Sequence, residues 1–322
     1  MSNTTTTTPV AIVEKASLMS IYYPLFLIIV GTILNLLTLA VLCRPPFRNA
    51  KKQPAMHYMR AIAVFDILML YGWNLDHYLS YVYTFTLLRY SIPSCKLIAF
   101  VSYATPQASA WLLVFVSIDR YIMLSRLRRT WFNTSKGILT IIACIIAVFV
   151  ALNLHILLFA CFFKPDGSIN PQAPQYRIYP MWDYVHLCVY TGVPFVLMVV
   201  FNSGVVQQLL RIRRESTLQN SRIQHRAISI TLVVTTSLFL ILTTPSGVAF
   251  AFFYNTASKT VLQLLDGIFY SYHTLSFPVY LITFTEFRRE FLAMMFCWRR
   301  LQTVVPTKSA AGQTFSVQRM IA

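Results

Sequence analysis

LIAFVSYATPQASAWLLVFVSIDRY, residues 97–121, is the passage that decides the fold. From Leu97 to Ile118 no residue carries a charge, with Lys96 just before the run and Asp119-Arg120 closing it. A helix needs about 20 apolar residues to cross a bilayer, so the run has the length of a span with charge at both margins. The rest of the chain fits a membrane setting. Of its 322 residues 57% are hydrophobic and 11% charged, against about 25% charged in an average soluble domain. So few charges exclude a typical soluble enzyme and a disordered chain, and 6 cysteines are too few for a disulfide-stapled secreted domain.

Working outward, six further windows predict spans. They are Ala16–Cys43, Ala61 to about Ser80, Gly137–Phe163, Tyr184–Leu210, Ala227–Ser258 and Gly267–Thr285. The window from Ala61 is the least apolar, because it contains Asp66 and Asp76. Without it the two termini would share a side. Orientation follows from the basic residues of the loops. With the N-terminus outside, segments 44–60, 120–136, 211–226 and the tail after 286 hold 21 of the 27 Lys and Arg. The inner face then carries +17, the outer face +1, and Asp66 contributes −1 inside the membrane. Arg126, Arg128, Arg129, Arg211, Arg213 and Arg214 would face a cytosolic partner and anionic membrane lipids. Basic charge split among four membrane-flanking loops is not a nucleic-acid surface. The first 15 residues are polar and Thr-rich, with no basic segment of the signal-peptide kind, so the first span is expected to direct insertion. Asn3-Thr4-Thr5 is a glycosylation sequon usable only outside; Asn133-Thr134-Ser135 matches too but faces the cytoplasm. The expected fold class is an all-α membrane protein, a seven-transmembrane helix bundle.

Residues at fixed places then narrow the function. Asp119-Arg120-Tyr121 ends the third span, and Cys95 stands 25 residues before Arg120, at its outer end. The first span contains Gly31-Thr32-Ile33-Leu34-Asn35-Leu36-Leu37, and the second Ile62-Ala63-Val64-Phe65-Asp66. Pro194 lies within the fifth span; Pro245 lies within the sixth, six residues after Phe239. Ser276-Phe277-Pro278-Val279-Tyr280 in the seventh is followed by Phe287-Arg288. Together, over about residues 18–300, these motifs resemble the rhodopsin-like (class A) G-protein-coupled receptors. There are departures. Ser276 replaces the family's seventh-helix asparagine, and its proline is displaced to Pro278. Thr243 stands at the sixth-helix tryptophan, Asn202 at a fifth-helix tyrosine, and His225 where some members place an acidic partner for Arg120; the fourth-helix tryptophan is missing. The pattern looks like a divergent invertebrate neuropeptide-receptor type.

The resemblance implies an extracellular N-terminus (1–17), a receptor domain (18–285), an amphipathic eighth helix (286–300) and a cytoplasmic tail (301–322). It implies an activation switch of Asp119, Arg120, Tyr121, Phe239, Pro245, Ser276 and Tyr280. Read alone, Arg120 could be a helix-end arginine reaching to the interface. The resemblance also implies an allosteric sodium ion, the single cofactor expected, on Asp66, Ser109 and Asn35. A protonated or hydrogen-bonded structural aspartate is the alternative reading of the same buried carboxylate. It implies a disulfide between Cys95 and Cys161, with Cys188 as the other candidate; Cys43 and Cys144 read as plain apolar residues. Cys297, on a basic amphipathic segment, reads as a palmitoylation site or a free thiol. Thr303, Thr307, Ser309, Thr314 and Ser316 offer phosphorylation sites in the tail.

A ligand is expected between the helices of the outer half, among Trp73, Asp76, His77, Ser102, Tyr103, Gln107, Trp182, Asp266, Tyr270 and His273. For each aromatic residue the alternative is an interfacial belt. Ser102 stands where amine receptors carry an aspartate, and Tyr270 where opsins carry the retinal lysine, which disfavours both ligand classes. Acids at the outer rim suit a basic or amidated peptide. The implied partners are an extracellular peptide or small-molecule ligand, a heterotrimeric G protein, arrestin and membrane lipids. No acid–base or nucleophilic constellation points to an enzyme; an intramembrane hydrolase would need paired deep carboxylates, and only Asp66 is deep. The remaining alternatives are a chemosensory or small-molecule receptor of the same fold and a seven-helix channel.

Overall fold

Helices form the body of each predicted window. The computed structural model describes residues 9–48, 54–126, 134–174, 181–215, 220–253 and 256–303. Asn3, Asn133 and the tail hydroxyls from Thr307 onward lie outside them, as do the side chains of His225, Cys297 and Thr303. The spanning helices are α1 (Pro9–Leu42), α2 (Met56–Tyr83), α3 (Ile92–Arg126), α4 (Ser135–Phe159), α5 (Val193–Glu215), α6 (Asn220–Phe253) and α7 (Lys259–Thr283), and α8 (Thr285–Thr303) follows. A six-residue helix, Met181–His186, and a π-helical stretch, Leu187–Gly192, lead without a break into α5. Among the described residues, five segments are apolar enough to cross a membrane by composition alone: Tyr22–Leu42, Ile92–Ser125, Ser135–Phe159, Tyr184–Arg211 and Ala227–Phe253. The other two helices, α2 and α7, have 28 and 25 residues, long enough to span. Asp66 of the one meets His273 and Ser276 of the other inside a seven-helix bundle.

Capping and packing follow from sequence in familiar ways. Thr134 accepts the Gly137 amide at the start of α4, and Ser258 the Val261 amide at the start of α7. Along α4, Ile138, Ile142, Ile145, Phe149 and Ile156 are buried, while Leu139, Ile146, Val150, Leu154 and Leu158 are exposed. An apolar helix with one exposed apolar face belongs at the edge of a bundle, against lipid. The window Gly137–Phe163 is corrected at its end: helix stops at Phe159, and Phe162–Phe163 is strand β1, paired antiparallel with β2 (Ile169–Asn170). The chain turns at Cys161, which has φ 65° and donates its amide to the Gln172 carbonyl at 3.0 Å. A disulfide joins Cys161 to Cys95 at the start of α3, whereas Cys188 is a free, exposed thiol. In the hairpin turn Asp166 accepts the Ser168 amide and hydroxyl at 2.8 and 2.6 Å. These bonds hold its carboxyl below the ordinary range.

At the opposite end, α8 is clamped beneath the bundle. Phe284 and Phe287 are fully buried, with Phe47 against Phe284 at 5.6 Å and Tyr280 against Phe287 at 5.7 Å between ring centres. Arg44 reaches Glu290 at 3.1 Å, and Arg60 donates to the carbonyls of Leu42 and Phe47. Gly31 of α1 sits tightly between two helices: an added Cβ would strike Leu70 of α2 and Thr274 of α7. Gly31→Val is therefore expected to cost about 1–3 kcal/mol through overpacking, read as a lower Tm of the purified protein.

Candidate functional site

The site is organised around three polar clusters strung along the bundle axis. The central one is Asp66, fully buried on α2. Nδ1 of His273 lies 2.7 Å from one carboxylate oxygen, and the Ser276 hydroxyl donates to the other at 2.8 Å. Both partners come from α7, one turn apart (i, i+3), so one helical face addresses one carboxylate. Asn35 of α1 donates its side-chain amide to the carbonyls of Gly31, at 3.0 Å, and His273, at 2.8 Å. Sequence places His273 with the ligand-facing residues; the structure puts it on Asp66, with no measurable exposure. Ser109, expected beside the carboxylate as a sodium ligand, is buried with its hydroxyl unpartnered. Asn35 turns its nitrogen, not its oxygen, toward α7. The donors on Asp66 therefore do not fit the sodium set drawn from sequence.

Toward the disulfide end lies a second cluster, centred on Gln107. Its amide nitrogen donates to Nδ1 of His186 at 3.1 Å, and its oxygen accepts from Asn153 at 2.5 Å. Tyr103 meets the His186 ring edge-on at 5.2 Å. The π-helical stretch leaves the Val189 carbonyl for Trp111, which donates to it at 3.0 Å; such stretches recur at functional sites. Trp182 packs edge-on against His155 at 4.2 Å, and Trp73 keeps 36% of its surface open beside the His77 ring. Asp76 is buried and accepts the Leu88 amide at 3.2 Å, so it secures a loop. Ser102 faces Gly72 of α2. Asp266 accepts from Ser246 at 3.4 Å, and among the described residues no basic side chain pairs with it. Tyr270 lies beyond Phe269, 4.7 Å away, and 6.5 Å from His273.

Ring-to-ring contacts join these two clusters. His186 stacks on Tyr190 at 5.2 Å, and Tyr190 meets Phe239 at 5.7 Å. Phe239 meets Tyr272 at 5.2 Å, and Tyr272 meets His273 at 5.1 Å. Thr243, at the tryptophan position, is buried and donates back to the Phe239 carbonyl. Pro245 lies inside α6 two residues further along, where it has no amide to donate.

The third cluster is at the other end. The Arg120 guanidinium binds the carboxylate of Asp119, its Nε donating at 2.9 Å and its Nη2 donating to the same oxygen. Both residues are buried. Tyr121 lies on Phe201 at 5.8 Å and on Gly204, where a Cβ would come within 2.6 Å of the ring. Asn202 donates to Thr236 at 2.6 Å, linking α5 to α6, and Thr283 donates to Thr231 at 2.9 Å, linking α7 to α6. Tyr280 is fully buried.

Asn153, His186 and Tyr190 belong to the site but do not stand out in sequence. A signal was there for Asn153 and His186: a polar side chain in an apolar span needs a buried partner. A family model described as the 7 transmembrane receptor (rhodopsin family) matches residues 34–279, more than half of the chain. No curated protein matches it. Gln107→Leu would leave the buried Asn153 amide with the Phe149 carbonyl as its remaining acceptor and remove the amide donor from His186; it is expected to cost about 1–3 kcal/mol, seen as a lower Tm, whereas Gln107→Glu keeps an acceptor on the Asn153 side.

Proposed function

This chain belongs to the rhodopsin family of seven-transmembrane receptors, and we propose that it binds an extracellular peptide at the disulfide end and activates a heterotrimeric G protein at the Arg120 end. The observation that carries this reading is the unbroken run of contacts from His186 through Tyr190, Phe239 and Tyr272 to His273 and Asp66. A ligand that favours one arrangement of this series over another shifts the population of the whole bundle by its difference in affinity. The N-terminus is outside in this reading, so that the basic loops meet the cytosol. The Asp119–Arg120 pair closes the inner end; its release as the helices part would expose the surface for the G protein, and then arrestin.

The ligand's chemistry follows from Asp266. A partly buried carboxylate facing α6, with one hydroxyl partner and, among the described residues, no basic one, suits a basic or amidated group. The absence of a carboxylate at Ser102 removes the usual anchor of small amines, which favours a peptide, with a small-molecule ligand as the second reading. Trp73, Trp182 and Tyr270 would line the apolar part of the same site. Two outcomes check the proposal. In cells with matched surface expression, Arg120→Ala is expected to abolish agonist-independent and agonist-driven G-protein signalling; coupling equal to wild type would sink the mechanism. Against an agonist found by screening peptide and amine libraries, Asp266→Asn is expected to weaken binding of basic agonists about tenfold or more, as loss of a charge-assisted hydrogen bond does.

A further inference from the structure

In the receptors this chain resembles, the carboxylate at the position of Asp66 shares a sodium ion with a third-helix serine and neighbouring residues. Here the carboxylate already has two donors, His273 at 2.7 Å and Ser276 at 2.8 Å, one on each oxygen. Asp66 and His273 have fully buried side chains. We propose that the His273 imidazole stands in place of that ion, so that Asp66 takes its counter-group from α7 and the site does not bind sodium.

The argument is one of occupied oxygens and space. A partner on each carboxylate oxygen offsets part of its charge and takes up a direction from which a cation would approach. Sodium in contact with either oxygen would have to compete with the His273 ring or the Ser276 hydroxyl, both fixed on one face of α7. The oxygens that remain without partners, Oδ1 of Asn35 and the hydroxyl of Ser109, are neutral dipoles. They would orient around an ion but cannot supply the negative charge it needs. Asn35 is also held away, because its nitrogen is bonded to the backbone of His273 itself. The ring is fixed from both sides: Tyr272 and Phe269 meet it at 5.1 and 6.0 Å. An ion's occupancy changes with its concentration, and stabilises the state it binds accordingly. A side chain is present at a fixed ratio of one to one, so the resting state would not follow sodium.

This inference rests on the packing of α2 against α7 and not on the ligand or G protein, so it survives or fails separately from the proposed function. The test uses the full-length purified receptor and sodium alone as the probe. Tm is measured in sodium chloride and in choline chloride at equal ionic strength, together with the sodium NMR linewidth. Wild type is expected to give the same Tm in both salts and no linewidth contribution that depends on Asp66. His273→Ser removes the ring and is expected to gain a saturable sodium-dependent rise in Tm, lost again in the double variant with Asp66→Asn. A saturable sodium effect in wild type that Asp66→Asn abolishes overturns the proposal. A folded His273→Ser receptor that stays insensitive overturns the part assigned to His273. Should that variant not fold, the wild-type linewidth with and without Asp66→Asn still decides.

Discussion

Asp66 sets the terms for the rest of the bundle. An isolated carboxylate moved from water into a medium of low dielectric costs on the order of 20 kcal/mol in the idealised limit, far more than a protein's net stability. The group must therefore take a proton or a partner, and the chain brings it two, His273 and Ser276, on a single face of α7. That requirement fixes the rotation of α7 about its axis and its depth against α2. It also explains why these two helices are the ones that fall short of the composition of a membrane span. Asp66 of α2 is engaged by His273 and Ser276 of α7, while Asp76 takes a loop amide and Asp266 a hydroxyl of α6.

Around this pair the helices meet through small numbers of directed contacts rather than through a uniform apolar seam. Asn35 ties α1 to the backbone of α7 at His273, and Tyr23 reaches Ser271 at 2.5 Å nearer the end of the same interface. On the far side, Gln107 joins α3 to α4 and to the residue before the π-helical stretch. Between a few polar fixed points and many ring contacts, a bundle can hold two arrangements of similar energy, which is what a receptor needs. Asp119 and Arg120 pair within a single helix: the guanidinium takes one carboxylate oxygen, and the other, Oδ1, is buried without a hydrogen-bond partner among the described residues.

Much of this was legible in sequence for a physical reason. Uncharged windows mark spans because lipid tolerates few charges, and Asp119-Arg120, Cys95 and Pro245 sit at landmarks fixed by distance along a helix. Asp66 could be read as a buried carboxylate in need of a partner. Which partner could not: His273 lies 207 positions away, and one residue of rotation in α7 would have turned it toward the ligand side, where its spacing from Tyr270 suggests it. Asp76 shows the same limit from another side. Its place near the rim suggests ligand binding, yet a backbone amide of a loop, invisible to side-chain patterns, claims it. The end of α4 was misjudged because Ala160, Cys161 and Phe162 are as apolar as the helix before them; the stop is set by tertiary pairing with Gln172 and Asn170.

The π-helical stretch at Leu187–Gly192 has a consequence for how this chain is compared with others. Each residue of an α-helix turns the chain by about 100°, so widening one turn by a residue gives the segment before it a different angular phase from α5 after it. Counting backward from Pro194 along an ideal helix would therefore assign His186, Trp182 and Cys188 to the wrong directions. The two halves of this one rod obey separate registers, and a substitution transferred by position from a receptor with an unbroken fifth helix would land on a different wall of the bundle.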